Sequence, residues 1–366
     1  SRRFDVLGAS RAASISEDAL IMGVHGLAPD VDPLLRNLAD WITKPNWEDA
    51  QLEEVRKRIL DRWAHIGEQA EVLSGLAFDR LISRGTPYAR GGIYSQKELK
   101  SVSRADILAL HQKYFTPANS VLLVIGQFDP EVLRPKLMEA FGAWGGTAAA
   151  PETIKLANDT RIPNLGPKEV LVINQGGAST QAQVVIGFPG PLINAADHVA
   201  LEVGNSLLGD YFTSRLNLLI RDKLGLTYGI RSEFMYRKDL GIFQISAATQ
   251  SASAGKLIRK VIDVLEDLRK GPISREEVET AKGYLQGSFA LGLSSPYRLA
   301  ARWVAVRQLG LSGEYLEKYS ERIGAVTVDQ VLKAVDRNFA LKKLVVVATG
   351  DAKMIQKSLK EAVIST

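Results

Sequence analysis

The chain has no cysteine and only four histidines among its 366 residues. Without thiols it can form neither a disulfide nor a thiolate metal site, and that absence suits an oxidising compartment such as a periplasm. A periplasmic or otherwise exported location is the expectation, an organelle the alternative. No apolar run approaches the roughly 20 residues that span a bilayer. Ser1-Arg2-Arg3 is not followed by the apolar core of a signal peptide, so a mature form is expected. The net charge is only +5, with no lysine and arginine cluster interleaved with aromatics, which argues against nucleic acid. The pairs Gly91-Gly92 and Gly176-Gly177 lack a lysine-serine companion and read as plain turns rather than phosphate cradles.

What the chain does contain is a repeat. Val102 to Gly126 and Val326 to Gly350 match at an offset of 224. Val102 pairs with Val326, Ile107 with Val331, Leu108 with Leu332, Phe115 with Phe339 and Gly126 with Gly350. Each copy reads as an amphipathic helix, a short break and a buried strand. The period exceeds any solenoid repeat and points to two tandem domains of one fold. The same offset carries Lys168, where the second copy begins, to position −56. The first copy therefore lacks about one strand and one helix, by design or by removal.

Composition agrees with two globular domains: 46% of residues are apolar and 24% charged. Helices are expected over Pro33–Thr43, Asp49–His65, Leu73–Ser83, Pro130–Phe141, Ala195–Leu208 and Ala254–Lys270. Strands are expected over Val170–Asn174, Gln181–Phe188 and Phe243–Ala248. The stretch Gly145–Leu165 is rich in Gly, Ala, Pro and Asn and reads as a linker, which separates domains 1–146 and 167–366 at residues 147–166. The fold class is α+β, each domain a mixed, mostly antiparallel sheet with helices on one face.

Four stretches resemble one known family. They are Arg84–Gly92 with the following helix and Thr116–Ser120, then Val121–Asp129, Tyr211–Gly229 and Leu344–Asp351. Together they are similar to the pitrilysin/insulinase-like zinc metallopeptidases, the inverzincins, in the short two-domain form of bacterial and mitochondrial processing peptidases. The resemblance implies that Arg221 and Tyr228, seven residues apart, form the arginine and tyrosine pair of the second domain. Tyr228 would donate a hydrogen bond to the carbonyl oxygen as charge builds on it, and Arg221 would hold substrate carbonyls beside it. The competing reading makes Arg221 a surface ion-pair partner and Tyr228 a half-buried aromatic at a strand start.

The family's zinc site needs H-x-x-E-H on one helix and a glutamate on a later one. No H-x-x-E-H occurs here. By resemblance, Glu54 and Asp61 stand where the family has its second-shell and third-ligand glutamates, and a one-residue shift would put Val55 and Arg62 there. His198 precedes Glu202 by four positions and reads as an ion pair or surface group, and His111 as a packed helix residue. His25 lies in a strand-like run and His65 ends a charged helix. The chain is thus expected to carry no cofactor. Its expected role is the non-catalytic subunit of a heterodimer with a homologous zinc-bearing subunit, acting on peptides that add as a strand to a sheet edge inside a closed chamber. Two alternatives stay open: the catalytic chain with its zinc-motif segment lost, and an inactive structural scaffold.

Overall fold

In the computed structural model, residues 2–90, 95–146, 168–176 and 180–364 are described. The glycine pair Gly91-Gly92, Gly177 and the linker 147–166 lie outside them. Strands are β1 Ser10–Ile15, β2 Leu20–His25, β3 Glu169–Asn174, β4 Gln181–Gly190, β5 Ile230–Tyr236, β6 Gly241–Gln250 and β7 Val345–Gly350. The helices that matter below are α1 Val31–Thr43, α2 Asp49–Ala64, α3 Ala70–Ile82, α4 Arg104–Tyr114, α5 Pro130–Phe141, α6 His198–Asn205, α7 Ala254–Lys270, α8 Arg275–Gly292, α9 Val328–Asn338 and α10 Ala352–Glu361. The chain divides into two compact units: Ser1–Arg62 with Tyr94–Lys155 and Leu293–Gln308, and Trp63–Ile93 with Leu156–Gly292 and Leu309–Thr366.

The first unit contains the β1–β2 hairpin and helices α1, α2, α4 and α5. Ser16 closes the hairpin turn, its hydroxyl accepting from the Ala19 amide at 3.1 Å. α1 buries Leu34, Leu35, Leu38 and Ala39, the one-sided spacing of an amphipathic helix. A capping box starts α4: Ser103 accepts from the Asp106 amide while Asp106 accepts from Ser103. Its counterpart stands 224 residues on, where Thr327 and Gln330 cap α9.

The expected buried strand of the first copy is not formed. Residues 121–125 carry no strand, and Val121, Leu122 and Leu123 are 69%, 45% and 38% exposed. Their counterparts Val345 to Val347 are at most 2% exposed. The difference is one of neighbours. β7 lies between β3, parallel to it, and β4, antiparallel to it. Among the described residues of the first unit the only sheet is the β1–β2 pair, so 121–125 has no adjacent strand there to saturate its amides. That hairpin repeats β5–β6, its Ser16–Ala19 turn answering Arg237–Leu240. The part of the repeat without a counterpart thus holds β3 and β4 as well as α6.

The second unit is a five-stranded sheet in the order β3-β7-β4-β6-β5. Its central strands are apolar on both faces, as strands covered from both sides must be. Val184, Ile186 and Phe188 of β4 join Phe243, Ile245, Val346 and Ala348 in a large core with α6, α7, α8, α9 and α10. The alternate residues Val185, Ile242, Val345 and Val347 meet Phe78 and Ile82 of α3. The main helical layer is where the sequence suggests. The sequence does not show that α3, numbered with the first half, covers the second unit's other face. Polar groups fix it there: Ser74 donates to Thr349 at 2.7 Å, Arg237 bonds Asp79 at 2.6 Å, and Arg84 pairs both its terminal nitrogens with Glu169 at 3.0 and 3.1 Å.

α7 buries Leu257, Ile258, Val261, Ile262, Leu265 and Leu268, a stripe of helical period. Its start crosses α10 so closely that a Cβ at Gly255 would lie 2.1 Å from the Ser358 carbonyl oxygen. Gly75, in α3, has nothing within 4 Å of such a Cβ. Opposite outcomes are expected in urea titration. Gly255→Ala should cost about 1–3 kcal/mol through overpacking, whereas Gly75→Ala should gain up to about 1 kcal/mol from helix propensity. Equal effects at both sites would contradict the packing described.

Candidate functional site

The segment from α6 to β5 carries the arginine and the tyrosine. α6 ends in a wide π turn, Ser206–Asp210, and a second π turn, Asn217–Lys223, follows. Such turns insert a residue relative to an α-helix and concentrate at functional sites. Both are held from beneath, since Leu207, Leu208, Leu216 and Ile220 are at most 1% exposed. The Asn217 amide donates to the Tyr211 carbonyl, the Ser214 hydroxyl and the Ile230 carbonyl at 3.3, 3.1 and 3.0 Å, tying the segment to β5. Arg215 grips Glu277 of α8 through two bonds of 2.6 and 2.9 Å and also donates to the Pro272 carbonyl.

The exit from the second π turn is equally fixed. Gly225 turns at φ +60°, a left-handed geometry that glycine adopts without strain. Thr227 donates to the Ala248 carbonyl at 2.6 Å and accepts from the Gly229 amide, while Thr249 donates to the Leu226 carbonyl at 2.6 Å. Thr227 and Ile230 are 9% and 4% exposed. Tyr228 between them is 100% exposed. The reading of Tyr228 as a half-buried strand-start aromatic is therefore overturned: the backbone is locked at both sides and the phenol projects into solvent.

Arg221 sits on the second π turn. Its guanidinium carbon lies 3.5 Å from the centre of the Phe212 ring, and its Nε is 3.6 Å from Asp222. Its terminal nitrogens make no hydrogen bond to the described residues. A partly exposed ion pair contributes at most about 1 kcal/mol and an exposed cation–π contact about 0.5–1 kcal/mol. Neither would withhold the guanidinium from a carbonyl or carboxylate that met its N–H edge. The contrast with Arg215, whose donors are consumed by Glu277 and Pro272, is direct.

The remaining sequence candidates fall elsewhere. Glu54 and Asp61 are exposed on α2, and Glu54 is 4.0 Å from Arg58. Val55 and Arg62, the alternative register, are exposed as well. His111 is packed, bonding the Ile42 carbonyl at 2.8 Å and lying against Phe115. His65 pairs with Glu68, and His25 is exposed at the end of β2. His198 is an internal group rather than a surface one, at 2% exposure. It contacts the Tyr236 and Tyr315 hydroxyls at 3.0 and 2.6 Å and Glu202 at 3.3 Å. Burial pushes the Tyr236 phenol well above its usual range, and the Glu202 carboxylate adds to that. Burial also raises Asp210 despite the nearby Arg231. Among the described residues no group of three or more His, Asp or Glu could hold a metal ion. The described residues therefore do not fit a zinc site.

Sequence reasoning misses Phe212. Nine residues separate it from Arg221, which on a regular helix would place the two on opposite sides. The break between the π turns brings them together, and no periodic pattern signals it.

Residues 101–285, half of the chain, match the family described as Peptidase M16 inactive domain. The chain belongs to that family. The family reading drawn from Tyr211–Gly229 and its companion stretches is thereby confirmed. Among relatives of this M16 chain, an uncharacterized zinc protease of Mycobacterium leprae is 25% identical over 339 residues, covering 90% of this chain and 73% of that one. The zinc protease PqqE of Helicobacter pylori is 25% identical over 238 residues, covering 63% and 49%. The fold matches that of a peptidase M16 inactive domain from Pseudomonas fluorescens, with a TM-score of 0.85, 23% identity, and coverage of 95% of this chain and 82% of that one. A protease from Helicobacter pylori matches with a TM-score of 0.87, 19% identity, and coverage of 95% and 84%.

The clamp that holds the Arg221 segment should respond to acid. The Arg215 hydrogen bonds hold the Glu277 carboxyl below its ordinary value of 4.5, with partial burial opposing them. A depressed carboxylate contributes stability in full above that value, and the contribution is lost as pH falls through the lower folded value. Urea midpoints of the native protein and of Glu277→Gln should therefore differ most near neutral pH and converge below about pH 4.5. A difference that persists undiminished in acid would contradict the ion-pair origin.

Proposed function

We propose that this M16 chain is the non-catalytic subunit of a zinc metallopeptidase, and that it lends Arg221 and Tyr228 to the active site of a homologous, zinc-bearing partner. The observation that carries this reading is the pairing of rigid backbone with unsatisfied side chains. Tyr228 is 100% exposed on a loop bonded on both sides, and the Arg221 terminal nitrogens have no hydrogen-bond partner among the described residues. An exposed phenol and an uncommitted guanidinium edge add little to the fold's own stability. They do supply preorganised donors for a ligand.

In this role Arg221 would hold a substrate carbonyl through its N–H edge, and the Tyr228 hydroxyl would donate to the scissile carbonyl oxygen as negative charge develops there. Zinc would be the partner's. Substrates would be unfolded peptides, bound first through their backbone along a sheet edge in a chamber enclosed by the two subunits. The absence of cysteine supports an exported or periplasmic setting. The description of the matching family as an inactive domain supports a scaffold as the second reading, in which Tyr228 does no chemistry.

Metal analysis of the purified chain should find no stoichiometric zinc, and the chain alone should cleave no peptide. One tightly held zinc per chain would overturn the division of labour. In the reconstituted pair, Tyr228→Phe should lower turnover on the order of 100-fold, about 2.7 kcal/mol, with little change in KM. Arg221→Ala should also raise KM, because it acts before chemistry. Unchanged turnover in Tyr228→Phe would favour the scaffold.

A further inference from the structure

We infer that Phe212 is the positioning residue of this site, its ring fixing the guanidinium of Arg221 so that the N–H edge faces the substrate; the inference rests on the substrate-binding reading of Arg221. Phe212 is 67% exposed, in a segment where Leu207, Leu208, Leu216 and Ile220 are at most 1% exposed. Leu207, Leu208, Leu216 and Ile220 carry the packing, so core formation does not explain a phenylalanine at this position. Its contact with Arg221 does. A separation of 3.5 Å from guanidinium carbon to ring centre sets the guanidinium directly over the ring face, closer than the 5.1–6.0 Å of the other described arginine–ring contacts.

Stacking has a consequence that an ion pair lacks. The delocalised guanidinium carries its five donors in its own plane, so a ring on one face restricts the plane's orientation and consumes none of the donors. Asp222, at 3.6 Å from Nε, is too far for a hydrogen bond and leaves the donors available as well. An arginine held only by carboxylates would have spent the edge that a substrate carbonyl needs, as Arg215 has with Glu277. Without the ring, the side chain would sample many rotamers and lose that freedom on binding.

The test uses the full chain and two readouts. The first is the Arg221 Nε–H resonance, identified by its loss in Arg221→Lys. In the native protein it should be displaced by the ring current of Phe212, in Phe212→Leu it should return to the position of unstacked arginines, and in Phe212→Tyr and Phe212→Trp it should stay displaced. The second is the affinity for a capped, fluorescent, unstructured peptide of about ten residues. Phe212→Leu should bind it about two- to fivefold more weakly, the range of an exposed cation–π contact, and the two aromatic variants should restore native affinity. An unchanged amide spectrum elsewhere shows that each variant has folded. An undisplaced resonance in the native protein overturns the inference, as does Phe212→Leu binding at native affinity or failure of both aromatic variants to restore it. If Arg221→Ala itself binds the peptide normally, the substrate-binding reading fails first and the inference falls with it. That outcome is distinguishable because the displaced resonance would still be present in the native protein.

Discussion

The second unit depends on one constraint, the burial of β7 between two strands and two helical layers. Val345 to Ala348 are at most 2% exposed, and alternate side chains enter different cores. A strand covered on both faces has no polar side to spare, and its amides must all be met by neighbours. β4 meets one edge and in turn carries β6 and β5. The position of β5 decides where the loop before it leaves the sheet, and so where Tyr228 points. The first-copy segment 121–125 has a comparable apolar sequence without those neighbours, and there Val121, Leu122 and Leu123 form no strand and stay exposed.

Rigidity and availability are divided between different residues of one segment. Asn217, Arg215, Thr227 and Thr249 spend their hydrogen bonds on fixing the segment to itself and to α8 and β6. The side chains of Arg221 and Tyr228 spend none on the described residues. Two buried threonines and one asparagine suffice because each bonds a backbone carbonyl that a loop would otherwise leave unmet, and an unmet buried carbonyl costs about 1–3 kcal/mol. The buried His198 group follows the opposite logic. Its ring nitrogens both face phenols, with Glu202 alongside, and it stays inside the fold as an internal anchor.

Much of this was legible in the sequence where local chemistry decides the outcome. The period of α7 is written in Leu257 to Leu268, and the Arg221 and Tyr228 spacing in a single stretch of chain. What depends on distant contacts was not legible. Nothing in Ala70–Ile82 says that its Phe78 packs beneath Val185 and Val347, more than a hundred residues away. The apolar run at 121–123 reads as a buried strand because sequence shows composition and not the presence of a neighbour. His198 reads as an ion pair or surface group; Glu202 does stand beside it, but its burial was not legible since its two tyrosine partners are 38 and 117 residues distant. Phe212 escapes because π turns have no periodic signature.

The two π turns also set a rule for change over evolutionary time. Each holds one residue more than a regular helix would, and each helical residue corresponds to about 100° of rotation. Deleting a single residue from Asn217–Lys223 would close the turn to a regular helix and change which of its residues face the core and which face out. Surface segments ordinarily tolerate length variation. This one should not, because Ile220 would leave the core while Arg221 swung away from Phe212. Descendants of this chain can therefore exchange side chains along the segment far more freely than they can change its length, and a fixed spacing between the two π turns and β5 is the trace that such a history leaves.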